Sequence, residues 1–186
     1  RAFMEPGKSV LVVGGGPIGV LLYRAACAFG AGIGAITDND QKRVNRIKAM
    51  TIENVYNTEE TALEELMKNL TKGKGFDIVF TACSSPEAQE EAVQVVSKRG
   101  VVNFFGGLSS GSRNIQISSN DIHYKEAYIT GSHGSSPRQF KLALQLISNG
   151  RINVKDIISH RFALKEIEKA FQIAESRVGL KVAIIP

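Results

Sequence analysis

Residues 9–19 read SVLVVGGGPIG: a run of strand-forming side chains gives way to four glycines in six positions. SVLVV is the apolar run that a strand buried on both faces requires. Beyond it, Ile18, Leu21, Leu22, Ala25 and Phe29 recur at helical spacing. A strand passing into a helix through glycine leaves few folds open, because the chain must turn sharply and something must approach the bare backbone. Gly14, Gly16 and Gly19 fit G-x-G-x-x-G, and each has its own task. Gly14 makes the tight turn, Gly16 lets a pyrophosphate reach the main chain, and Gly19 lets the helix pack closely on the strand. The helix N-terminus, opened by Pro17 and Ile18, offers unpaired N–H groups and roughly half a positive charge to the anion.

The remainder of the chain alternates strand-like and helix-like segments, the signature of βαβ units on a parallel sheet. GIGAIT, NVY, FDIVFTA, GVVNFF and AYITG are the further strands, giving an α/β, Rossmann doubly wound parallel sheet of about six strands. Pro17, Pro86 and Pro137 each stand where a helical pattern begins, where a missing N–H costs nothing. Ser85 and Ser136 precede two of them as caps. Thr58 is the expected cap of the helix carrying Leu63, Leu66, Met67 and Leu70, with Glu59 and Glu60 at its positive end. After residue 134 the rhythm changes to helix (Phe140, Ala143, Leu144, Ile147), loop, helix (Ile167, Ala170, Phe171, Ala174) and a last strand, KVAIIP, in need of an edge to pair with. The reading is therefore a nucleotide-binding domain over 1–134 and a C-terminal helix-helix-strand segment over 135–186.

Asp38 ends the second strand 19 residues past Gly19 and 22 past Gly16, near the offset of about 20 for an acid that holds a ribose. Its carboxylate would accept hydrogen bonds from the adenosine ribose hydroxyls, while Asp40 is free to cap the next helix. Asp38 also selects the cofactor: a 2′-phosphate about 4 Å from it would be repelled by roughly 4 kcal/mol at an effective dielectric near 20. Arg43 softens that repulsion, so the preference is for NAD over NADP.

Charge points away from nucleic acid. The net charge of +5 lies entirely in residues 135–186, with 9 basic and 4 acidic residues, whereas residues 1–134 hold 14 of each. No basic stripe is interleaved with aromatics. No apolar run reaches the roughly 18 residues that span a bilayer, so no membrane partner is expected. Cys27 and Cys83, without metal-ligand spacing, read as small buried thiols of a reducing, cytoplasmic setting. Residues 1–7 read as the middle of a longer protein.

PGKSVLVVGGGPIG, AFGA, FDIVF, GVVNFFGG, ITGS, INVKDIISHRFALKEIEKAF and GLKVAIIP occur in that order across nearly the whole chain. The chain thereby resembles the medium-chain, zinc-containing alcohol dehydrogenases, in their sorbitol (polyol) dehydrogenase branch. The resemblance implies NAD held by Gly14, Gly16, Pro17, Ile18, Gly19 and Asp38, with Arg43 near the adenosine ribose. It implies a nicotinamide pocket lined by backbone around Ala82, Phe105 and Thr130, with Lys181 near the pyrophosphate. Two departures stand out: Thr81 and Ser84 occupy the family's usual acid and glycine positions, and MTIENVYN replaces the usual approach to the third strand.

The resemblance further implies hydride transfer between a secondary alcohol or polyol and NAD, with a zinc ion polarising the alcohol oxygen. The family takes its zinc ligands from an N-terminal catalytic domain. His123, His133 and His160 share no ligand spacing with either cysteine, so no metal ligand and no catalytic residue is assigned here. The expectation is a cofactor-binding fragment that binds NAD but does not oxidise alcohols alone. Its 135–186 segment would pack on that catalytic domain, and the sheet edge near AYITG would form a homodimer or tetramer. Rival readings are a non-catalytic NAD-sensing module, an adenosylmethionine-binding methyltransferase and an NADPH-using quinone reductase; Asp38 disfavours the last.

Overall fold

A computed structural model describes residues 2–111 and 114–186. The chain divides into two compact units, Arg1–Ser136 and Pro137–Pro186.

The first unit is built on six parallel strands: β1 (Ser9–Val13), β2 (Ile33–Asp38), β3 (Val55–Asn57), β4 (Phe76–Thr81), β5 (Val96–Phe104) and β6 (Tyr128–Gly131), in the order β3-β2-β1-β4-β5-β6. All five residues of β1 are buried, which accounts for an apolar run without polar alternation. β1 pairs with β2 on one side and β4 on the other, Val13 lying opposite both Thr37 and Thr81. The strand order reverses between β1 and β4. That opens a crevice at their carboxyl ends, where open α/β sheets take ligands.

Five helices cover the sheet: α1 (Pro17–Ala28), α2 (Gln41–Lys48), α3 (Leu63–Thr71), α4 (Pro86–Val95) and α5 (Ser119–Lys125). Leu11, Val13, Ala35, Val79 and Val102 form one buried cluster with Leu63 and Leu66 of α3 and Ala92 and Val93 of α4. Each fully buried Leu or Val there contributes about 1.5–3 kcal/mol.

Several expectations are corrected at this level. The helix α1 forms as expected, but its buried residues are Gly19, Val20 and Ala26, whereas Ile18 and Phe29 are exposed. Gly19 has to lie against the turn, and this rotates the apolar face. Cys27, next to the last residue of α1, is exposed rather than buried, and Cys83 is half-buried.

Thr58 does not cap α3. The Asn57 carbonyl accepts the N–H groups of Glu60 and Thr61 and its side chain accepts that of Glu59, so a turn intervenes. The helix starts five residues after Thr58, with Glu64 and Glu65 in its first turn. Helix α5 has no counterpart in the sequence reading.

The second unit contains α6 (Pro137–Ser148), β7 (Ile158–Ala163), α7 (Ile167–Glu175) and β8 (Lys181–Ile185). The segment read as a loop includes β7, and it supplies the edge that KVAIIP needs: β7 and β8 pair in parallel as a two-stranded sheet. No described helix is long and apolar enough to cross a membrane.

Candidate functional site

At the mouth of β1 the three glycines meet three different constraints. Gly14 has φ +109, a conformation side chains rarely adopt, and a Cβ there would lie 3.0 Å from the carbonyl group of Ala82. At Gly19 a Cβ would collide with the carbonyl oxygen of Gly14, so helix and turn touch backbone to backbone. A Cβ at Gly16 would meet nothing within 4 Å. Its bareness is not required by the protein's own packing, which leaves room for something else to approach. The intervening Gly15 is also constrained: a Cβ there would reach 2.5 Å from Ile47 Cδ1. A motif that treats Gly15 as variable misses this.

The helix behind the turn is electrically incomplete. Asp40 caps α2, Ser85 caps α4 and Ser118 caps α5, each accepting backbone N–H groups through its side chain. Helix α3 has no side-chain cap but carries two glutamates in its first turn. Among the described helices of this unit, α1 alone has neither a side-chain cap nor an acid in its first turn. Its first-turn N–H groups thus lack a side-chain cap, as an anion site requires. The Asp38 carboxylate takes the Gly15 N–H ahead of the helix and is itself paired with Arg43.

On the β2 side, Asp38 is 5% exposed and fully engaged. Its Oδ2 accepts the Gly15 N–H at 2.7 Å and its Oδ1 the Asp40 N–H at 2.9 Å. Arg43 Nη1 donates to both oxygens, at 3.0 and 2.9 Å. Asp38 thus ties the glycine turn to the end of β2 and fixes Arg43 beside it. Asp40, not Asp38, performs the capping, accepting from Lys42 and Arg43 N–H.

On the β4 side, Ala82 donates its N–H to the Val13 carbonyl at 2.7 Å, continuing the strand pairing into the turn. Cys83 follows, and burial raises its thiol above the ordinary range. The Thr81 hydroxyl, where the resemblance led one to expect an acid, is buried with no hydrogen-bond partner among the described residues. Neutral threonine tolerates that burial, whereas an unpaired carboxylate would not.

Further along, a cleft of about 700 Å³ opens over the carboxyl ends of β5 and β6, lined by residues 104–108 and 131–133 with Gln89 and Ile115. Of the three backbone positions named from sequence, Phe105 lines this cleft; Ala82 lies at the Gly14 turn and Thr130 one residue before the lining segment. Lys181 belongs to the second unit, exposed at the start of β8, with its carbonyl accepting from Ser159 Oγ at 3.1 Å. Gln89, Gly106, Ser132 and His133 escaped the sequence reading. Their signal was positional: 106, 132 and 133 lie within two residues of the carboxyl ends of β5 and β6, where open parallel sheets bind ligands.

A zinc ion needs three or four Cys, His or carboxylate donors converging on one point. Among the described residues no three such side chains gather in that way. The residues present do not fit a zinc ion, and no step of chemistry is assigned to one here.

Residues 17–149 match the model of a family described as zinc-binding dehydrogenase. The chain is 30% identical over 188 residues to a sorbitol dehydrogenase of Halalkalibacterium halodurans, aligning 100% of this chain with 54% of that one. It is 28% identical over 188 residues to a probable D-xylulose reductase A of Aspergillus terreus, aligning 99% of this chain with 52% of that one. Among solved structures it superposes on 2R,3R-butanediol dehydrogenase from Bacillus subtilis with a TM-score of 0.89 at 22% identity, covering 100% of this chain and 53% of that one. The chain spans about half the length of the relatives it matches.

Proposed function

The chain belongs to the zinc-binding dehydrogenase family, and from that premise we propose that it is the NAD-binding half of an alcohol or polyol dehydrogenase. The observation that carries this reading is the turn after β1: backbone open at Gly16, in front of a helix end with no side-chain cap and no acid in its first turn. A pyrophosphate fits both features, for it is anionic and needs bare main chain. The adenosine end then lies toward β2, with its ribose at Asp38 and Arg43. The nicotinamide end lies toward β5 and β6, in the cleft beside Phe105.

In this reading Gly14 and Gly19 shape the turn, and Pro17 and Ile18 border the phosphates. Arg43, held by Asp38, sits over the adenosine. We assign Ala82 and Thr130 to the support of the nicotinamide end. A bound oxidised dinucleotide would supply an acceptor for the hydride of a carbinol carbon, the hydroxyl proton leaving to solvent as the secondary alcohol becomes a ketone. The chain's own residues orient the dinucleotide and exclude water from one side of it. A sorbitol dehydrogenase and a D-xylulose reductase among the relatives favour a polyol substrate for the full-length protein, with its metal ligands outside the described residues.

Two contacts are proposed on the same footing. Residues 135–186 dock on a further, catalytic domain, and the β6 edge, where Tyr128 is exposed, pairs with a second copy. Both would operate in a reducing cytoplasm.

Calorimetry tests the central reading. NAD should bind with micromolar affinity, NADP more weakly, and adenosylmethionine not at all. Absence of heat with NAD at protein concentrations suited to micromolar binding, or preference for adenosylmethionine, overturns it.

A further inference from the structure

Two consecutive residues of α4 hold separate segments of the cleft wall, and neither is a dinucleotide contact in the reading above. Gln89 is 4% exposed, and its Nε2 donates to the carbonyl oxygen of Gly106 at 3.0 Å. Gly106 is fastened on two other sides. Its N–H donates to the Thr81 carbonyl at 2.8 Å, and a Cβ there would strike the carbonyl oxygen of Cys83. Glu90 reaches to another strip of chain: its Oε1 accepts the Gln116 N–H at 2.7 Å, next to Ile115, which lines the cleft.

The helix that bears them is itself immobilised. Ser85 caps its first turn, with its Oγ accepting the Ala88 N–H at 3.1 Å, and Ala92, Val93 and Val95 lie in the core. A loop that follows a strand is ordinarily among the less rigid parts of a domain. Here two such stretches, at 106 and 116, are pinned to one rigid element 17 and 26 residues earlier in the chain. A pre-set wall spares a ligand the cost of ordering it.

We propose that Gln89 and Glu90 are positioning residues that set the width of the cleft for the nicotinamide end of the dinucleotide. This rests on the dinucleotide reading above. Neither side chain needs to touch the ring, for they act through Gly106 and Gln116. Loosening either wall should therefore weaken ligands that enter the cleft and leave untouched those that stop at the pyrophosphate.

ADP-ribose, which lacks nicotinamide, separates the two cases. In calorimetry on the whole chain, Gln89→Met should weaken NAD about three- to tenfold, the usual effect of one lost hydrogen bond, with ADP-ribose unchanged within about twofold. Glu90→Ala, at a half-buried position less able to disturb folding, should do the same, and Glu90→Gln, which keeps the acceptor oxygen, should recover most of the loss. Equal weakening of both ligands would reduce these residues to a general structural role, and no weakening of NAD would remove the role altogether; either result overturns the proposal. A wild-type chain that binds ADP-ribose and NAD equally well shows that the cleft takes no nicotinamide, which also overturns it. Binding of neither ligand sinks the dinucleotide reading itself, and the proposal with it.

Discussion

Asp38 and Arg43 face one another at 2.9 Å, and the acid of this pair is almost wholly buried while the base is one-fifth exposed. Breaking such a pair from one side strands the other charge. Asp38 is the costlier to strand, because two backbone N–H groups and Arg43 all converge on it.

Replacing the acid should change which dinucleotide is accepted. Asp38→Ser removes the charge that repels a 2′-phosphate and frees Arg43 to pair with it. The NAD-to-NADP affinity ratio should shift toward NADP by at least about tenfold, roughly 1.4 kcal/mol, part of the unscreened repulsion being already offset by Arg43 in the parent. Paired titrations with both dinucleotides check this. An unaltered ratio would mean that the ribose does not lie at Asp38.

Gly16 and Gly19 should respond oppositely to the same substitution. Gly19→Ala drives a methyl into the Gly14 carbonyl, a backbone atom that cannot step aside, and should cost about 1–3 kcal/mol. For a chain of this size, thermal unfolding should fall by about 2–4 °C per kcal/mol. Gly16→Ala meets open space, and its φ of −66 suits any residue, so the melting temperature should hold or rise slightly. Its methyl would nonetheless occupy the pyrophosphate approach, and NAD affinity should drop at least tenfold. A Gly16→Ala chain that binds NAD normally would contradict the placement of the phosphates.

These expectations were largely legible in the residues because the first half of the fold is locally encoded. A strand buried on both faces shows as SVLVV whatever lies around it, and Gly14, Gly16 and Gly19 announce a turn by spacing alone. The cleft's supports were not legible. Gln89 lies in PEAQEEAV, which reads as a solvated helix face; it is buried only because α4 packs where Gly106 returns 17 residues later. β7 was hidden for a similar reason. ISHRFA carries polar residues on both sides, and its partner is parallel and more than 20 residues away, with no hairpin turn to mark the pairing. The buried face of α1 was misjudged because it is set by Gly19, not by the larger apolar residues.

The second unit should behave as an incomplete surface. Phe140, Leu144 and Ile147 stand at i, i+4 and i+7 on α6 and are 63%, 52% and 39% exposed, and Phe171 on α7 is 62% exposed. Contiguous exposed apolar side chains of this kind bind hydrophobic dyes and promote association. The chain should therefore enhance anilinonaphthalene sulfonate fluorescence and sediment as a concentration-dependent mixture. Phe140→Glu with Leu144→Glu should suppress both. Its unfolding free energy should change by no more than about 0.5 kcal/mol per site, because neither side chain is in the core. Dye binding unaffected by the double substitution would place the sticky surface elsewhere.

The two thiols should separate by ligand protection and share a pH trend. Burial raises the Cys83 thiol above its ordinary range, the Asp38 carboxylate adding to the rise against a lowering hydrogen bond from the Ser85 backbone. Partial desolvation of its thiol also raises Cys27, although the residue is exposed and a hydrogen bond from Tyr23 opposes the shift. A raised thiol holds less thiolate at neutral pH than a free cysteine, and the thiolate is what alkylates. Iodoacetamide should thus react slowly with both at pH 7, and the rate should climb roughly tenfold per pH unit until the raised pKa is passed. Only Cys83 adjoins the glycine turn, where a Cβ on Gly14 would come within 3.2 Å of its Cβ. Saturating NAD should protect Cys83 and leave Cys27 reacting at its unliganded rate. Mass mapping of the modified chain distinguishes them, and equal protection of both cysteines would point to a global tightening instead of occupation of the crevice between β1 and β4.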